Sequence, residues 1–279
     1  MTPEPRGRFE KWANPDSFGA TKARDLAAML ELRGGAEDQR ATRAAYLELL
    51  SVAPGDRVLD VGCGSGVVTR DLARRVAPTG HATGVDPSPD LLAIARELAD
   101  QENLGPTIDF RVGDARSLPF DSATFDVGLA VTVFSHIPGG EAGVAELVRV
   151  VRPGGRVAVV DFDPDSAIVW HPDRVTTRRI VAAYSDHGVA DGWLARRLPS
   201  LLTAAGVSGV RVRAFTALEQ DVTGHRAKSI AQRAALAVRT GVITESDYQR
   251  WVDILATEQQ VGRFLAGSTY LFAWGTVPA

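Results

Sequence analysis

Three aspartates stand at or near the ends of three short β-branched runs: Asp60 in Val58-Leu59-Asp60-Val61, Asp86 in Gly84-Val85-Asp86-Pro87-Ser88, and Asp114 in Gly113-Asp114-Ala115-Arg116. Ionised carboxylates only accept hydrogen bonds, so at the rim of a pocket they suit ammonium groups, hydroxyls and exocyclic amines. The first aspartate leads into Gly62-Cys63-Gly64-Ser65-Gly66, a glycine loop that opens a helix. Residues without Cβ take turns at φ > 0 and let a ligand approach the backbone, and the helix start behind them offers unpaired N–H groups. A dinucleotide fingerprint requires a small residue three positions after the second glycine, where this chain has Val67. The G-x-G-x-G spacing suits a cofactor with no pyrophosphate to cradle, which leaves Asp60 for a positively charged amino group; the alternative role for Asp60 is to cap a turn. Asp86 lies twenty residues beyond Gly66, where a carboxylate grips both ribose hydroxyls. Asp114 is placed for an adenine amine.

The elements that must position these groups alternate between strand and helix, which predicts a parallel sheet. Strands are expected at Arg57 to Val61, Ala82 to Val85, Thr107 to Val112, Phe125 to Val131 and Arg156 to Phe162. Helices are expected at Gly66 to Val76, Pro89 to Asp100 and Glu141 to Val151, each with apolar residues on a helical period. Together they make a doubly wound α/β sheet. Residues 1–50 read as an N-terminal helical cap on a core at 51–279, with helical insertions at about 164–190 and 221–262. These additions are expected to roof a pocket or, alternatively, only to cover the sheet.

Composition narrows the partners. The 31 basic and 34 acidic residues give a net charge of −3, and no dense Lys/Arg block is present to neutralise a row of phosphates, so no nucleic acid partner is expected. Cys63 is the only cysteine, which excludes an internal disulfide and a cysteine cluster for zinc, and no metal site is expected. Met1 to Lys11 has no apolar core of signal-peptide length, and no apolar run reaches a membrane span. The expectation is a cytoplasmic protein without membrane insertion.

The ordered set of motifs resembles the class I S-adenosylmethionine-dependent methyltransferases, in particular the small-molecule branch similar to the ubiquinone and menaquinone biosynthesis methyltransferases. Beyond the three aspartate segments, the likeness rests on Leu118-Pro119-Phe120-Asp121 before Phe125-Asp126-Val127, on Val131-Thr132-Val133-Phe134-Ser135-His136-Ile137, and on Glu146-Leu147-Val148-Arg149-Val150-Val151-Arg152-Pro153-Gly154-Gly155. It covers about Gln39 to Phe162. The resemblance implies S-adenosyl-L-methionine as cofactor: its methionine end on Asp60, Gly62, Cys63, Gly64 and Gly66, its ribose on Asp86, its adenine against Pro87, Gly113, Asp114 and Ala115, and its sulfonium facing Val131 and Thr132. It also implies a mostly parallel seven-stranded Rossmann-like sheet whose last strand runs antiparallel, with the final pair at Gly209 to Ala214 and Ser268 to Trp274.

Methyl transfer from a sulfonium is an in-line displacement, so the protein mainly aligns the nucleophile and excludes water. His136 follows the fourth strand on the side where the methyl emerges and is the best-placed base; its alternative is a packing and hydrogen-bonding role. Trp12, Phe18 and Trp170, with His136, are the expected acceptor-pocket residues. His171, His187 and His225 lie in the additions, where surface placement is the default, and His81 starts a strand away from the crevice. The motif Asn/Asp-Pro-Pro-Tyr/Phe of nucleobase and glutamine amide methyltransferases is absent, since Val131-Thr132-Val133-Phe134 stands there. The expected acceptor is therefore a small molecule, with quinone-like or specialised metabolite biosynthesis as the setting; no oligomeric state is specified. The alternatives are an enzyme that keeps the cofactor site but catalyses a cyclisation or isomerisation, and a non-catalytic cofactor-binding partner, because fold does not fix chemistry.

Overall fold

A computed structural model of the chain describes residues 19–220 and 224–279. Two helices, α1 (Gly19–Gly35) and α2 (Glu37–Leu49), precede β1 (Arg57–Val61), α3 (Val67–Val76), β2 (His81–Asp86), α4 (Pro89–Gln101), β3 (Ile108–Val112), β4 (Phe125–Val131) and α5 (Gly140–Val150). Then come β5 (Val151–Val169), α6 (Arg174–His187), α7 (Leu194–Ala204), β6 (Ser208–Glu219), α8 (His225–Arg239), α9 (Glu245–Gln260) and β7 (Ala266–Thr276). The seven strands form one sheet in the order β3-β2-β1-β4-β5-β7-β6. Only β7 runs against the others: it pairs antiparallel with both β5 and β6.

Period-two alternation divides the side chains of β1 between two cores. Val58 joins Leu72, Ala73 and Val76 of α3 and Leu92, Ala95 and Ala99 of α4 on one face, whereas Leu59 and Val61 join Val144 and Leu147 of α5 and Leu194 and Leu198 of α7 on the other. Asp60 shares the face of Val58 and so points toward α3. Helix α2 adds Tyr46, Leu47 and Leu50 to that face, where the Tyr46 ring stacks 5.8 Å from that of Phe272.

One expectation needs correcting. β5 does not end at Phe162. Its pairing with β7 resumes after a bulge between Asp163 and Ile168 and continues to Val169 opposite Ala266, so residues 164–169, expected as the start of a helical insertion, are strand. The run from Arg226 to Gln260 is two helices, broken at Gly241 (φ +73°) and restarted by a capping box in which Thr244 and Asp247 exchange hydrogen bonds. These helices build a small core of their own from Ile180, Ile230, Trp251, Leu255 and Phe264.

Phe272 is fully buried between Tyr46 and Trp274 and links the sheet centre to the cap. Phe272→Ala is expected to cost about 3–5 kcal/mol, read as a lower midpoint in urea unfolding; a loss below ~1 kcal/mol would show that the site collapses around the missing ring.

Candidate functional site

A cleft opens above the carboxyl ends of β1, β2 and β4, where the strand order reverses and α/β sheets bind ligands. The space within it open to the centre of a water-sized sphere is about 170 Å³.

Asp60 forms part of its floor. The side chain is almost completely buried, and the Thr69 hydroxyl donates to its Oδ2 at 2.6 Å. Burial, with the nearby Asp86 adding to it, pushes the Asp60 carboxyl up to about 7 although the Thr69 bond pulls the other way. A carboxylate in this state is poised for a cation, whose arrival would restore its charge.

The glycine loop is shaped for close approach. Gly62 (φ +70°) and Gly64 (φ +55°) both lie in the left-handed region. A Cβ on Gly62 would run into the Val133 side chain, and one on Gly64 would come within 2.8 Å of Leu30 in α1. Asp86 holds the loop: its Oδ2 accepts from the Gly64 N–H at 2.9 Å and its Oδ1 from Ser88 N–H at 3.0 Å. Arg70, also buried, donates to the Ser65 carbonyl at 2.8 Å and pairs with Glu31 of α1 and Glu102 after α4. Loop, cap and sheet are thereby tied together.

Asp114 lies at the outer end of the cleft and is exposed. Arg116 pairs with its carboxylate at 2.6 Å and holds it below the usual carboxylate range, so an amine there would share the carboxylate with a guanidinium. At the opposite end, Thr132 has φ +55°, a rare conformation for a β-branched residue that costs on the order of 1–3 kcal/mol. Its N–H donates to the Val160 carbonyl at 2.7 Å, and Arg33 of α1 donates to its hydroxyl at 3.4 Å. The strained residue turns the chain off β4 into the short turn Phe134–His136.

His136 stacks on Phe162, with ring centroids 5.5 Å apart. Burial, with Arg33 nearby, pushes its imidazolium down to about 3, so the ring is neutral at physiological pH. A useful general base has its pKa near the working pH, so this ring is far better suited to contact and hydrogen bonding than to proton removal. The turn beneath it is anchored by Asp161, completely buried, which accepts from the Ser135 hydroxyl (2.7 Å), the Ser135 N–H (3.0 Å) and the Phe162 N–H (3.0 Å).

Of the residues singled out in the sequence, Asp60, Gly62, Cys63, Gly64, Asp86, Pro87, Gly113, Asp114, Ala115, Val131, Thr132 and His136 all line this cleft. Gly66 lies just behind the wall, as the left-handed N-cap of α3. Burial pushes the Cys63 thiol up, which fits a packing role. Trp170 is not on the wall: it lies beyond β5, half exposed, with its indole N–H on Glu258 at 2.8 Å. The added length of β5 carries it away. Trp12 and Phe18 lie outside the described residues. His171 is buried, accepting from the Asp173 N–H and bonded to the Trp251 carbonyl, while His81 sits by Asp109, away from the cleft. The roof over the described cleft comes from α1 and α2, through Leu30, Arg33, Gln39, Arg43 and Tyr46. None of those five carried a motif; their signal was only their place in an amphipathic helical pair.

Residues 58–155 match the family model described as a methyltransferase domain. The chain is 30% identical over 246 residues to an uncharacterized 37.1 kDa protein in transposon TN4556 of Streptomyces fradiae, covering 88% of this chain and 69% of that one. It is 34% identical over 137 residues to a ubiquinone/menaquinone biosynthesis C-methyltransferase of Cereibacter sphaeroides, covering 48% of this chain and 54% of that one. The chain spans about half the length of such curated methyltransferases. In fold it is similar to the Haemonchus contortus phosphoethanolamine N-methyltransferase 2 solved with S-adenosyl-L-methionine, at TM-score 0.60 and 18% identity, covering 97% of this chain and 60% of that one.

Two titrations test the electrostatics. With Asp60 at about 7 when folded and 3.8 as its ordinary value, the folded state keeps a proton that the unfolded chain releases between those values. Stability from this group is therefore complete below the lower value, falls as pH rises to the upper one, and is flat beyond it. Asp60→Asn is expected to remove that fall, raising the urea midpoint at about pH 8 relative to the parent while leaving it unchanged at about pH 4; equal midpoints at both would mean that the buried charge is not costly. The His136 Cε1–H resonance is expected to show no inflection between about pH 5 and 8, and one in that window would return the residue to candidacy as a base.

Proposed function

The chain belongs to the S-adenosylmethionine-dependent methyltransferases, and from that premise we propose that it transfers the cofactor's methyl group to a small-molecule acceptor held on the His136 side of the cleft. The observation that carries this reading is Asp60: a buried carboxylate at the foot of a glycine cradle, pushed up to about 7 by burial, with Asp86 adding to it.

The residues present fit the cofactor. Asp60 takes the methionyl ammonium, with the left-handed backbone of Gly62 and Gly64 beside it. Asp86, already ordering the loop through Gly64 and Ser88, holds the ribose. Pro87, Gly113, Asp114 and Ala115 border the adenine, and Val131 and Thr132 face the sulfur. Bound there, the cofactor supplies an electrophilic methyl group on a sulfonium, open to in-line attack.

The chain's own work is alignment and desolvation. Helices α1 and α2 cover the cleft and exclude water, Thr132 clears the strand end by its left-handed turn, and His136 on Phe162 presents a neutral ring edge to the acceptor. A neutral imidazole beside a sulfonium adds no repulsion. The lack of a dense basic block favours a small apolar or aromatic acceptor, in quinone-like or specialised metabolite biosynthesis.

Calorimetry tests the cofactor step. A cation must meet an ionised Asp60, so affinity for S-adenosylmethionine is expected to rise as pH is raised from about 5.5 to 7.5 and then level off, with a proton released on binding near neutrality. Asp60→Asn is expected to bind more weakly and to lose that dependence. PH-independent binding by the parent would move the ammonium off Asp60, and no binding at all would refute the cofactor assignment.

A further inference from the structure

The sheet face that carries Leu59 and Val61 is covered by α5 and α7 over β4, β5 and β7. The connection from β3 to β4, residues 113–124, carries no helix to extend that cover. Its Ala115 and Leu118 join Leu59 and Val85 in the core, and nearer the strand starts a hollow stays open. Strand pairing sets the polar lining of this hollow on one face: Arg57 of β1 lies opposite His81 of β2, and Thr83 opposite Asp109 of β3, with Arg111 two residues on. The rings of Phe120 and Phe125 add an aromatic side. Arg57 and Val61 are the two ends of β1, so the rise of one strand, roughly 13 Å, separates the hollow from the glycine loop.

The charges in the hollow are unbalanced. Asp109 is the one acid among its lining residues, and it meets His81 Nε2 at 3.2 Å and Arg111 Nε at 3.1 Å. Although partial burial pulls the other way, Thr83, Arg111 and His81 hold its carboxyl below the usual range, which makes it a firm acceptor. The Arg57 guanidinium has no carboxylate among the described residues. It lies 5.9 Å from the centre of the Phe125 ring, as Arg111 lies 5.2 Å from that of Phe120, and the two rings meet edge to face at 4.9 Å. Asp126, the acid next along the chain from Phe125, is taken by the Arg57 N–H at 2.7 Å and by Arg152 at 2.6 Å. A guanidinium resting on a ring is pre-oriented and loses little freedom when it binds an anion. Two such groups, an imidazole and one firm acceptor suit an oxyanion that still carries a proton. Phosphate and its monoesters keep one at about pH 6; sulfate keeps none and would meet Asp109 as a repulsion.

We propose that this hollow binds a phosphate group, either the inorganic ion or the end of a small phosphomonoester, with Arg57, Arg111 and His81 on its charged oxygens and its P–O–H donating to Asp109. The site is separate from the cleft and does not depend on the methyltransfer reading.

Calorimetry on the full chain at about pH 6 and low salt tests it, with inorganic phosphate, phenyl phosphate and sulfate as probes. Phosphate is expected to bind about tenfold tighter than sulfate. Asp109→Asn, whose amide donates to either anion, is expected to erase that preference. Arg57→Gln is expected to weaken phosphate binding about tenfold, and Arg57→Lys, which keeps the charge and serves if the glutamine variant folds poorly, to retain part of the affinity. Arg239→Gln, at an exposed arginine of α8 outside the hollow, is expected to change nothing. The His81 Cε1–H resonance is expected to move during the titration while that of His136 stays. Tighter binding of phenyl phosphate would identify a monoester as the ligand, and parity the free ion. Equal affinity of the parent for sulfate, an equal loss in Arg239→Gln, or no saturation below about 10 mM phosphate would overturn the proposal. So would movement of His136 with competition from S-adenosylhomocysteine, which would put the anion in the cleft.

Discussion

The burial of the Asp60 carboxylate constrains everything around the cleft. A charge taken out of water must be paired, hydrogen-bonded or neutralised. Here only Thr69 is seen to bond to it, and the group gives up much of its acidity. The position is dictated by β1, whose alternation puts Val58 and Asp60 toward α3 and Leu59 and Val61 toward α5. Moving the carboxylate to the other face would require a one-residue slip of the central strand, which would turn the whole apolar set inside out. The site thus inherits its precision from the register of the sheet.

The second acid solves a different problem. Asp86 is nearly as buried as Asp60, but its carboxylate is put to structural use, accepting from N–H groups of the glycine loop and of the turn into α4. A left-handed loop at the start of a helix has few backbone partners of its own, and a carboxylate from the neighbouring strand supplies one. Two aspartates that look equivalent in the sequence therefore differ in kind, one orienting the loop and the other buried beside Thr69 with its acidity weakened.

The difference explains what was legible beforehand. Asp60, Gly62, Gly64 and Asp86 owe their places to contiguous strand-loop-helix units, whose periodicity and turn chemistry are local, so reading along the chain reaches them. β7 and the full length of β5 owe theirs to pairing between residues about a hundred positions apart, and no local pattern specifies where such a ladder stops. Trp170 was misplaced for this reason: the strand that carries it runs seven residues past Phe162. Arg33, Gln39 and Tyr46 escaped notice because an arginine or tyrosine on an amphipathic helix is ordinary until the helix is seen lying over a sheet end.

The two halves of the cleft consequently rest on different physics. The side proposed for the cofactor is built largely from backbone, with glycines, strand ends and a helix start. The side beyond Thr132 is built from side chains of α1, the turn after β4 and β5, with the turn held by the buried bonds of Asp161 to Ser135. Substitution at a wall residue there changes the shape and charge of the space without disturbing the loop that binds the cofactor. A fold divided in this way can change its acceptor while keeping its chemistry, because the sulfonium needs only to be held and dried, and selectivity falls to whichever charges and rings the added helices bring over the strand ends.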